Sequence, residues 1–170
     1  MSLVTAIPAP FPRGLGLTLA AAGPVALGAI LAARAGTLTP LAGAPAIIFG
    51  VVAATSPALY IAIAATGEAP PLSKVARAFA LALGAFGLAL AGLVLPAAFL
   101  SLSSVSAVTT IAVVTAALGG AAVLALRRLA TELATPDSSL TSSVIFIVWA
   151  AATLGIAGRL WIDLAREVMS

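Results

Sequence analysis

Three short groups of side chains that can donate protons, accept them or hold a ligand stand beside prolines in this chain. Thr55, Ser56 and Tyr60 surround Pro57. Glu68, Lys74 and Arg77 surround Pro70 and Pro71, and Ser101, Ser103, Ser104, Ser106, Thr109 and Thr110 follow Pro96. A proline inside a helix removes one backbone donor and frees a carbonyl, so neighbouring hydroxyls either build a polar pocket or satisfy that carbonyl. For Thr55, Ser56 and Tyr60 the simpler reading is satisfaction of a kink. The serine and threonine run ending at Thr110 either coordinates an ion or head group or forms a polar turn, and the turn is preferred.

Catalysis by these groups lacks its second partner. A serine or threonine nucleophile needs a base beside it, and the chain has no histidine and no cysteine, while its one lysine, Lys74, lies in a turn. Intramembrane aspartyl chemistry needs two buried carboxylates, which the apolar segments do not supply. Gly14-Leu15-Gly16 precedes an apolar run instead of closing a strand-to-helix turn, so it is no phosphate loop. Disulfides, thiolate chemistry, haem ligation through histidine or cysteine and the usual zinc sites are likewise excluded. The sequence therefore predicts a non-enzymatic protein without a cofactor.

The elements that must position these groups are set by composition. Of 170 residues, 62% are hydrophobic and 8% charged, with a mean hydropathy of +1.24. A soluble domain needs roughly 25% charged residues to cover its surface, so this balance requires lipid as the outer solvent. The isoelectric point of 10.7 and net charge of +3 arise from eight basic and five acidic residues dispersed along the chain. Nucleic-acid binding needs a clustered basic face and is not expected.

The fold class expected is an all-α polytopic transmembrane helical bundle of about five spans, placed at about 14–33, 41–66, 75–99, 107–126 and 142–161. Residues 1–13 form an extended arm, because Pro8, Pro10 and Pro12 forbid a regular helix there, and 163–170 form a short helical tail. The Arg13-then-apolar order also fits an uncleaved signal anchor. Pro57 should kink the second span, Gly67 should end it, and Ser73 should cap the third. Pro96 should break or bend the third span's far end, and Pro136 should stop the extension of the fourth beyond Arg127 and Arg128. Ser138, Ser139 or Thr141 should cap the fifth, the shortest apolar run, whose alternative is an interfacial helix; Trp161 should sit at the far interface. Arg128 with Glu132, and Arg159 and Arg166 with Asp163, have the spacing of helical ion pairs.

On the third span Ala76, Ala80, Gly84, Ala85 and Ala89 recur at close to four-residue spacing, with Gly87 beside them, the small-residue pattern along which membrane helices approach closely. No ionisable residue falls in the middle of any span. That argues against a proton-coupled carrier, a voltage sensor or a pump.

With five spans, Arg13, Lys74, Arg77, Arg127 and Arg128 share one side, and Arg34, Arg159 and Arg166 the other. The excess of basic residues places the N terminus in the cytoplasm and the C terminus outside. Alanine-rich coding suggests a bacterial cytoplasmic membrane.

At Ser56-Pro57-Ala58-Leu59-Tyr60-Ile61, Gly67, Pro71-Leu72-Ser73 and Pro96-Ala97-Ala98-Phe99-Leu100-Ser101, the chain resembles the YIP family of five-span membrane proteins, in particular small bacterial relatives. The resemblance covers about residues 56–101, with an echo at Gly158-Arg159-Leu160. It implies five spans and a cytoplasmic N terminus. It transfers no functional residue, and the cytoplasmic domain that carries partner contacts in eukaryotic members has no counterpart in the short arm.

Three functions fit these readings. The leading one is a scaffold or accessory subunit that contacts lipid and other membrane subunits, or its own copies, through small-residue faces and the turn Glu68, Pro70, Pro71, Lys74, Arg77. The second is a small oligomeric channel or permease for an ion or solute, passing the breaks at Pro57 and Pro96. The third is lipid handling.

Overall fold

In a computed structural model, which describes residues 13–103, 106–134 and 139–169, the chain forms five helices: α1 (Arg13–Ala35), α2 (Thr39–Ala64), α3 (Leu72–Ser103), α4 (Ala107–Leu133) and α5 (Leu140–Met169). The proline-rich arm before Arg13 and Pro136 lie outside the described residues. Helices α2, α3, α4 and α5 are each long and apolar enough to cross a membrane; the described apolar stretch of α1, Ala20–Ala35, is shorter. The protein is an all-helical integral membrane protein. Lipid-facing side chains such as Leu95, 77% exposed, and Leu102, 84% exposed, would be untenable in water in this number.

The helix ends follow from local chemistry. Gly36 and Gly67 adopt φ of +70° and +77°, the left-handed turn that glycine makes without a Cβ clash, and they close α1 and the turn after α2. Pro40 sits in the first turn of α2, where a missing N–H costs nothing, so the helix starts earlier than 41. Helix α3 starts at Leu72, and the N–H groups of Lys74 and Val75 bond to the Pro71 carbonyl at 2.8 and 3.2 Å. Pro71 rather than Ser73 therefore holds the capping position.

Two further expectations concern Pro96 and the fifth segment. Pro96 does not break α3, which continues to Ser103, because in lipid a helix is the arrangement that satisfies the remaining backbone groups. The fifth apolar segment lies in a helix of 30 residues that is long and apolar enough to cross a membrane, and its charged end continues the helix beyond the apolar body. Pro24, Pro45 and Pro57 are likewise carried inside continuous helices.

Helix α1 packs along both α2 and α3, α4 packs on α3, and α5 packs on α2. The order around the bundle is thus α5, α2, α1, α3, α4. Helices α4 and α5 close the ring only sparsely.

In lipid there is no hydrophobic gain from joining helices, so close packing must supply the attraction. Glycines of α1 provide it: a Cβ on Gly28 would lie 2.6 Å from the Pro40 carbonyl oxygen, and one on Gly23 would lie 2.9 Å from Leu90 Cβ and 3.1 Å from the Gly87 carbonyl oxygen. Of the small residues on α3, Gly87 is buried in this contact. Ala76 and Ala80 are exposed and Gly84 half-buried, so that stripe is not the internal seam. Two apolar clusters result, one around Leu27, Leu31, Phe86, Leu90 and Trp161, the other around Leu59, Ile63, Ala82, Leu129 and Trp149.

Candidate functional site

The backbone around Pro57 is satisfied locally. Pro57 has no N–H for the Ala53 carbonyl, and the Ser56 hydroxyl donates to that carbonyl at 3.4 Å. The Thr55 hydroxyl donates to the Val51 carbonyl at 2.9 Å. Thr55 also ties α2 to α5: its carbonyl accepts the Trp149 indole N–H at 2.8 Å, and its hydroxyl accepts that of Thr153 at 3.2 Å. Tyr60 is half-buried farther along α2 and takes no part in this joint.

Trp149 is held by more than its N–H. The Phe79 ring meets it edge-on with centroids 5.9 Å apart, and Phe146 lies at the same distance, tilted by 42°. At the other end of α5 the Trp161 N–H donates to the Thr115 hydroxyl of α4 at 2.8 Å. Trp161 is 6% exposed and points into the bundle. The hydrogen bond accompanies this burial, since an indole N–H away from water must find a protein acceptor.

Between the two tryptophans, where α4 and α5 diverge, lies a cavity of about 250 Å³. Its walls are Gly119, Ala122 and Leu126 of α4, and Leu154, Ala157 and Gly158 of α5. Ile48 and Val51 of α2 and Phe79 and Phe86 of α3 close its back. Among the described lining residues the polar side chains are Thr115, Trp149, Thr153 and Trp161, and all four are engaged in the bonds above. Nothing in this lining asks for a polar guest.

A second cavity of about 350 Å³ continues along the same seam towards the start of α5, lined by Ala130 and Leu133 of α4, Ser142, Ser143 and Phe146 of α5, and Glu68 and Pro70 of the α2–α3 turn. Glu68 reaches across here. Its Oε2 accepts the Ser139 N–H at 3.3 Å, the Ser139 hydroxyl at 3.1 Å and the Ser142 hydroxyl at 2.6 Å. The Ser139 hydroxyl in turn accepts the Ser142 N–H at 3.2 Å. This is the reciprocal pattern of a capping box, with the carboxylate supplied from another connection instead of the third helical position. Donation from Ser142 first, then from Ser139, holds the Glu68 carboxyl below its ordinary range.

The remaining candidates are dispersed. Lys74 is half-buried and Arg77 exposed on the first turns of α3, whereas Pro71 is exposed beside them. Pro96 is exposed on α3, and Thr110 is fully buried, its hydroxyl donating to the Ser106 carbonyl at 3.4 Å. The helical ion pairs form: Arg128 with Glu132 at 2.7 Å, and Asp163 with Arg159 at 3.6 Å and Arg166 at 3.5 Å. They lie on the surface and stabilise little.

The sequence reading missed both tryptophans as lining groups. A tryptophan in mid-span, as Trp149 is in the fifth, was the available signal, because its N–H must be matched by a buried acceptor. No known protein family, curated protein or solved structure matches this chain.

Proposed function

We propose that this protein is a non-enzymatic membrane protein that holds the hydrocarbon chain of a lipid in the furrow between α4 and α5. The observation that carries the reading is the apolar cavity between Trp149 and Trp161, where two helices consecutive in sequence pack only sparsely. A cleft at membrane depth is filled by what surrounds it, and what surrounds it is acyl chain. The twelve residues from Trp149 to Trp161 span roughly 18 Å at the helical rise. That is more than half the roughly 30 Å hydrocarbon core, enough for a chain from one leaflet.

The two tryptophans are the only ones in the chain and both face the furrow, which supplies the test. In vesicles of phosphatidylcholine with brominated acyl chains, a chain entering the furrow quenches their fluorescence strongly, although they are 8% and 6% exposed. Ala122→Phe fills the cavity and should cut the quenching, whereas Ala80→Leu on the outer face of α3 should not. Equal quenching in all three proteins overturns the reading.

A scaffold role is the second reading, favoured by Ala76 and Ala80, small residues one turn apart on the exposed side of α3. Isolation in mild detergent as a monomer without partners would count against it. A channel has less support, since the hydroxyls of Thr115 and Thr153 in the furrow are already bonded. The charge distribution supports an N terminus inside, which is also what the resemblance to YIP proteins implies, and the alanine-rich composition supports a bacterial cytoplasmic membrane.

A further inference from the structure

The lower cavity differs chemically from the upper. Glu68 is its one charged lining residue among those described, accompanied by the hydroxyls of Ser142 and Ser143. All three bonds to Glu68 converge on Oε2, and among the described residues none reaches Oε1. The two cavities are neighbours along the helices: Leu126 and Leu129 line the upper and Ala130 and Leu133 the lower, while Phe146 and Trp149, in ring contact, line one each and stand between them. From Ser142 to Trp161 the furrow extends roughly 29 Å by the helical rise, close to the full hydrocarbon thickness.

We propose that the lower cavity receives the head group of the lipid whose chain fills the upper one, and that this head group carries a primary ammonium. The ammonium donates N–H bonds to Glu68 Oε1 and to the serine hydroxyls, and the glycerol and chain continue upwards past Phe146 and Trp149. This rests on the furrow being a lipid site. Charge selects the guest: a cation with N–H donors matches a lone carboxylate, a quaternary ammonium matches its charge but donates no hydrogen bond, and a phosphate without an amine is repelled.

The test compares vesicles containing brominated-chain phosphatidylethanolamine, phosphatidylcholine or phosphatidylglycerol, diluted into unbrominated phosphatidylcholine. The readout is the mole fraction needed for half-maximal quenching of the two tryptophans. The ethanolamine lipid should act at a roughly tenfold lower fraction than the choline lipid, the fold-change of one hydrogen bond to a charged group. Glu68→Gln should abolish the difference. Because that substitution also alters the cap of α5, Ser143→Lys provides a second route, placing a cation in the cavity while retaining Glu68 and Ser139, and it too should remove the preference. Strong quenching at equal fractions for all three lipids, or a preference for phosphatidylglycerol, overturns the head-group assignment and leaves the chain site standing. Absence of quenching above that of the Ala122→Phe protein overturns both.

Discussion

The carboxylate of Glu68, in the turn between α2 and α3, caps the first turn of α5 by accepting the N–H and hydroxyl of Ser139, 71 residues further along the chain. The contact joins the end of α2 to the start of α5, and the middle of this helical pair is joined by Trp149 and Thr55. Because these bonds are made to the ionised carboxyl, the folded-state value is depressed below 4.5. They stabilise the fold above that ordinary value and are lost as the pH falls through the folded one. Thermal unfolding in detergent should therefore show a melting temperature that drops in the acid range below 4.5, and Glu68→Gln should flatten that drop. An identical acid profile in the variant would remove Glu68 as its origin. Ser139→Ala should cost about 1 kcal/mol at neutral pH, as the loss of a helix cap does.

Trp149→Phe keeps the ring packing against Phe79 and deletes the bond to the Thr55 carbonyl. It should destabilise by about 1 kcal/mol. Thr153→Val removes the neighbouring hydroxyl contact to Thr55, and the two changes should be non-additive by roughly 0.6 kcal/mol, the usual size of interhelical polar coupling in membranes. Equilibrium unfolding of both single variants and the double variant in mixed micelles measures this. Strict additivity would mean that Thr55 does not couple the two groups.

Much of the fold is legible in the sequence because lipid leaves the backbone few choices. A long apolar run without charges has to be a helix, and Gly67 and the pairs of Arg128 and Asp163 follow from local rules. Pro96 misleads because the rule that proline ends a helix is weaker where no water competes for the backbone. The inward turn of Trp161 is not legible locally, because its acceptor, Thr115, lies on another helix. The furrow itself is a property of helix order. That α1 stands between α2 and α3, leaving α4 and α5 apart, depends on where Gly23 and Gly28 let α1 approach its neighbours, and no single segment contains that information.

Gly28 should be the least replaceable of these glycines. A Cβ there meets the Pro40 carbonyl and the Leu41 backbone at 2.6 to 3.0 Å, and backbone cannot swing aside as a side chain does. Gly28→Ala should separate α1 from α2 and cost about 1–3 kcal/mol, as overpacking does. Gly84→Ala, with nothing within 4 Å of the new methyl, should be neutral or slightly stabilising through helix propensity. Similar losses at both positions would show that the approach of α1 and α2 is less close than described.

The basic residues divide unevenly between the two ends of the bundle, and this makes topology a measurable consequence. The contact between Glu68 and Ser139 brings the α2–α3 turn and the start of α5 to one end, where Lys74, Arg77, Arg127 and Arg128 also lie; Arg34, Arg159 and Arg166 lie at the other. An excess of basic residues is retained on the cytoplasmic side. The chain has no native cysteine, so Leu3→Cys and Met169→Cys each give a single label site. In intact cells an impermeant thiol reagent should modify Met169→Cys and spare Leu3→Cys until the membrane is opened. Labelling of Leu3→Cys alone would invert the orientation and place Glu68 and the lower cavity on the outer face. Labelling of both would mean an even number of crossings, with α1 lying along the membrane instead of through it.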